Sequence, residues 1–156
     1  MQAHLELDIE PMWPNVREIR RRVGNALAAC PSQLRSAAVM TSSELVENAI
    51  KYGESLPAAK SVAFLLEATA DQVFIRVVNG STNAEGVAEL ERRVHELRAA
   101  SDKQALYLAR LEQLLADAEE SGKLGIYRIG FEGGFDLHLD YTNSIVTVTA
   151  TRKSNG

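Results

Sequence analysis

The chain has 156 residues, 46% of them hydrophobic, and a formal net charge of −4. That length is one domain with room for a sizeable core, and the acidic balance argues against a nucleic-acid binder, which usually carries a basic face. No apolar run approaches the roughly 18 residues needed to cross a bilayer, the N-terminus has no signal-peptide pattern, and Cys30 stands alone, so we expect a cytoplasmic protein with no membrane contact and no intrachain disulfide.

His4-Leu5-Glu6-Leu7-Asp8-Ile9 alternates polar and apolar residues and predicts a half-buried strand, ended by Pro11 and Pro14. Trp13 precedes a helical pattern over residues 15–29 and is placed to clamp its entry as a hydrophobic staple. That helix collects Val16, Ile19, Val23, Ala26 and Leu27 on one face, and Arg17, Arg20 and Arg21 largely on the other. The arginines read either as a docking surface for an acidic partner or, more simply, as a solvated face with local ion pairs. Ser32 is a good N-cap for a long helix that ends at Gly53.

Within that helix, at about 100° per residue, Glu44, Asn48 and Lys51 fall on one narrow polar stripe. Leu45, Val46, Ala49 and Ile50 fill the opposite, broader arc. A carboxylate that can orient and deprotonate a water, a carboxamide oxygen that suits Mg²⁺ and an ammonium for a phosphate point to an anionic, metal-bound ligand. The alternative is an amphipathic core helix whose polar residues are merely solvated.

The run Glu44-Leu45-Val46-Glu47-Asn48-Ala49-Ile50-Lys51-Tyr52-Gly53 resembles the N-box of the GHKL superfamily, which holds sensor histidine kinases, Hsp90-like ATPases and anti-sigma-factor serine kinases. The resemblance implies an α+β two-layer sandwich, with a mixed sheet and helices on one face. It also implies ATP and Mg²⁺ as cofactors, with Glu44 as base or water-positioner, Asn48 as the Mg²⁺ ligand and Lys51 as a phosphate contact. A regulatory partner protein and serine kinase activity of the anti-sigma type would follow.

Residues 61–69 and 72–79 predict a hairpin around Ala70-Asp71. Its second strand runs into Asn79-Gly80-Ser81 where the family carries an Asp for the adenine amino group and then glycines. Asn79 is a neutral amide that accepts a hydrogen bond without charge assistance, and we read this adenine site, Asn79 with Gly80, as degenerate.

Residues 83–120 carry a strong helical pattern where the family has a glycine-rich lid. Thr82-Asn83-Ala84-Glu85 and Ser101-Asp102-Lys103-Gln104 look like two capping boxes, so two helices are preferred over one long one. Val87, Leu90, Val94 and Leu97 step by three and four. This stripe fits an interaction arm or homodimer interface within residues 83–121, and equally a helical hairpin packed on its own domain.

Lys123-Leu124-Gly125-Ile126 resembles the second glycine box, with Gly125 in place and Lys123 where the first glycine belongs. Both are candidate phosphate contacts by that resemblance. A short helix over residues 124–131, stopped by Gly133-Gly134, and a closing hairpin around Thr142-Asn143-Ser144 complete the order. Asp136, His138 and Asp140 share one strand face, at about 6–7 Å spacing that is wide for a single ion. The leading reading is a signalling protein on this ATPase fold. The other is a non-catalytic pseudo-ATPase that binds a partner through its helical insertion.

Overall fold

The structure is a computed structural model that describes residues 2–116 and 124–155. Five strands, β1 (Ala3–Ile9), β2 (Val62–Ala68), β3 (Gln72–Gly80), β4 (Asp136–Thr142) and β5 (Ile145–Lys153), form one sheet in the order β1-β2-β3-β5-β4. Five helices, α1 (Pro14–Ala26), α2 (Ser32–Tyr52), α3 (Ala84–Ala99), α4 (Lys103–Ala116) and α5 (Gly125–Phe131), complete the two-layer α+β sandwich.

The sheet is antiparallel at every pairing rather than mixed. Two helices between β1 and β2 return the chain in the opposite direction. β4 does run the same way as β3, but β5 lies between them, so no like-directed strands are neighbours.

The period-two pattern sets the core. Val73, Ile75 and Val77 of β3, Phe64 and Leu66 of β2, and Val148 and Ala150 of β5 are buried on the face that meets the helices. Ile19 and Val23 of α1, Leu45 and Val46 of α2, and Leu90 and Leu97 of α3 pack against them. The β4–β5 turn is Asn143-Ser144, both at positive φ (54° and 63°). That is the twist a two-residue hairpin loop requires.

Several helix starts differ in detail from expectation. Trp13 is 58% exposed and clamps nothing; α1 begins because Pro14 at its first position has φ already set for a helix. Ser32 lies inside α2, whose cap position is Pro31 with no side-chain bond. The caps of α3 and α4 sit one residue later than the capping-box pattern places them. Asn83 Oδ1 accepts the Gly86 N–H at 3.0 Å, and Asp102 Oδ1 accepts that of Ala105 at 3.0 Å. Thr82 is instead tied to Glu54, which accepts from its N–H at 2.8 Å and its hydroxyl at 2.6 Å.

Two helices, not one, therefore follow β3, and their roles divide. Val87, Leu90, Val94 and Leu97 of α3 are at most 4% exposed, so its apolar stripe belongs to the core of its own domain. α4 has no buried residue and leaves Leu108 and Leu115 exposed.

Candidate functional site

α2 sets Glu44 and Asn48 one turn apart, facing the space under α3 and α5. Gly125, the first residue of α5, lies directly on Glu44: a Cβ at residue 125 would stand 2.1 Å from Glu44 Oε2. Arg128, one turn along α5, brings Nη1 to 3.6 Å from Glu44 Oε1. Burial, and next the charge of Glu47, push the Glu44 carboxyl above its ordinary range, against the pull of Arg128 and Arg20. A carboxylate of raised basicity is suited to accept a proton.

Asn48 lines a cavity with Leu45, Val77, Asn79, Val87 and Leu90. Its Nδ2 is buried without a hydrogen-bond partner among the described residues, which typically costs about 1–3 kcal/mol. The cavity has a volume of about 10 Å³. A space of that size holds about one water, whereas small-molecule sites run to roughly 300 Å³ and above.

Asn79, expected at the adenine end, is 5% exposed and donates from Nδ2 to the Gly80 carbonyl at 3.1 Å. That carbonyl also accepts the Glu54 N–H at 2.7 Å, and a Cβ at Gly80 would meet Leu56 Cδ1 at 2.9 Å. The surroundings of Asn79 and Gly80 are therefore packed by the chain itself. Gly53, just past α2, is required for space rather than for its φ of −90°, since a Cβ there would meet the Ala49 carbonyl at 2.1 Å.

Lys51 is exposed, with Nζ 5.3 Å from the centre of the Tyr52 ring. Lys123 lies outside the described residues. The predicted residues are thus brought together in pairs, Glu44 with Gly125 and Asn48 with Asn79, while Lys51 stands apart. Among the described residues, the space that Asn48 shares with Asn79 is about 10 Å³.

Sequence reasoning missed three participants. Arg128 faces Glu44, and nothing in the pattern of α5 distinguishes it from a surface arginine. Val87 and Leu90 were visible as an apolar stripe, but periodicity does not say what that stripe covers. Among the other candidates, Arg21 pairs with Glu18 and Arg20 reaches Ser43 Oγ at 3.4 Å. Asp136, His138 and Asp140 are engaged separately, by Lys103, Arg98 and Thr142.

No family model and no curated protein matches the chain. Its structure is similar to the crystal structure of the RsbU and RsbW domains of Rv1364c from Mycobacterium tuberculosis, at a TM-score of 0.55 and 15% sequence identity. The match covers 96% of this chain and 32% of that one, so the chain spans about a third of its length. At this identity the likeness speaks for the fold alone, an α+β fold consistent with the sandwich that the N-box resemblance implies. Among the described residues no helix is long and apolar enough to cross a membrane.

Proposed function

We propose that the chain is a regulatory module on the histidine-kinase-like fold that acts by binding a partner protein, with its ancestral nucleotide site closed. The observation that carries this reading is the seating of Val87 and Leu90 of α3 against Asn48 and Asn79, which reduces the cavity there to about 10 Å³. A glycine-rich lid offers backbone N–H groups to phosphates; α3 offers leucine and valine side chains. The partner surface is sought on α4, where Leu108 is 48% and Leu115 81% exposed. Exposed leucines clustered on one helix mark an interaction surface more often than isolated ones do.

An ATP-dependent serine kinase of the anti-sigma type is the second reading. It is favoured by Glu44, whose raised carboxyl suits a base, and it requires α3 to leave the site. Calorimetric titration of ATP and ADP with Mg²⁺ into the wild type and into Asn48→Ala separates the two. The closed-module reading expects no heat of binding from either folded protein. Micromolar binding by the wild type that is lost in Asn48→Ala would replace it with the kinase reading.

A further inference from the structure

A second cavity, of about 150 Å³, lies where α3, α4 and α5 meet, and its chemistry is the reverse of the closed one. Arg92, Arg93 and Arg110 line it, together with Glu89, Glu96 and Tyr127. Among the described residues three guanidiniums face two carboxylates there, in a molecule whose net charge is −4.

The partners are unevenly shared. Glu89 Oε1 accepts from Arg93 Nη2 at 2.9 Å and also pairs with Arg92. Glu96 pairs with Arg110 and lies 3.5 Å from the Tyr127 hydroxyl. Arg93 is only 4% exposed, and its second contact, to the Tyr52 hydroxyl, is long at 3.4 Å. The Arg110 Nε–H is buried with no partner among the described residues. Buried cations and orphaned donors are unfavourable unless an acceptor reaches them. Guanidinium groups, moreover, present paired N–H donors that match tetrahedral and planar oxyanions.

We propose that this cavity binds a phosphate-sized oxyanion, as the free ion or as the phosphoryl group of a phosphorylated side chain. The anion accepts from Arg110 Nε and from the arginine donors that Glu89 cannot fill. A volume of about 150 Å³ suits a single phosphate group. The site is built from the helices that stand in place of a lid, and it is separate from the N-box residues Glu44 and Asn48.

The test is calorimetry and thermal melting of the intact protein with sodium phosphate, and separately with a capped phosphoserine, against sodium chloride at matched ionic strength. Saturable phosphate binding with a rise in Tm is expected, weakened roughly tenfold or more in Arg110→Gln and in Arg92→Gln. Arg92 has a side chain 68% exposed, so that variant keeps the fold. Asn48→Ala should leave the phosphate isotherm unchanged. Phosphate binding alone identifies a free-ion site; binding of both probes identifies one open to a phosphorylated side chain. No saturable response in the folded wild type, undiminished binding in both arginine variants, or loss of binding in Asn48→Ala would each overturn the proposal. The proposed closure of the nucleotide site would stand in the first two cases.

Discussion

Gly125 and Glu44 touch across the α2–α5 interface: a Cβ on residue 125 would lie 2.1 Å from Glu44 Oε2. The contact joins Gly125, in the run that resembles a second glycine box, to Glu44, the first residue of the run that resembles an N-box. Here it serves packing, with α5 laid directly on the carboxylate and Arg128 holding its other oxygen.

Gly125→Ala therefore forces the Glu44 carboxylate aside. The displaced atoms are the far end of a flexible side chain, so we expect a loss of about 1 kcal/mol, at the low end for overpacking. In a Glu44→Ala background the same substitution should cost little. Urea denaturation of the two single variants and the double variant measures the difference, and strict additivity would contradict the contact.

Glu44 also makes stability depend on pH. Its carboxyl is raised above 4.5 chiefly by burial, so between the unfolded and folded values the folded protein binds more protons. Stability from this group is present below the ordinary carboxylate range and falls as pH rises through the folded value. Glu44→Gln removes the penalty: it should melt above the wild type near neutral pH, and the gap should close in acid. A gap that widens in acid would reverse the sign.

Asn48 is a polar side chain in a small, mostly apolar cavity, with its Nδ2 unpartnered among the described residues. Asn48→Leu replaces that orphaned amide by an apolar group of similar size, a change that is commonly neutral or stabilising. We expect a Tm equal to or above that of the wild type. A large drop would show that the amide has an acceptor that the closed arrangement does not provide.

The helix caps give a contrast between two residues of similar promise. Asn83→Ala removes the bond to Gly86 N and should cost about 0.5–2 kcal/mol. Ser32→Ala removes no cap bond and should stay within about 0.5 kcal/mol, as surface changes do. Denaturant midpoints for the pair decide it.

Much of the fold was legible because its signals are local. The alternation of Val73, Ile75 and Val77, the break at Ala100-Ser101-Asp102 and the Asn143-Ser144 turn each state their own structure. The state of the site was not legible, because it depends on which surfaces meet. Val87 and Leu90 have the same spacing whether they face a partner or the chain's own α2. Periodicity records that a face is apolar, not what covers it. Asn48 and Asn79 share a cavity only once β3 is laid beside α2. The helical stripe placed Lys51 beside Asn48, but its long side chain lies instead toward Tyr52. Trp13 failed for a different reason: Val16, Ile19 and Val23 already fill the space under α1, leaving the indole outside.

α3 is part of the core rather than a lid. Amide hydrogen exchange across α3, with and without saturating ATP·Mg²⁺, tests it most directly, because a lid opens locally at low free energy and a core helix does not. Amides from Val87 to Leu97 should exchange nearly as slowly as those of β3 and should not change with nucleotide. Fast exchange in α3 that alters when ATP·Mg²⁺ is added would contradict it.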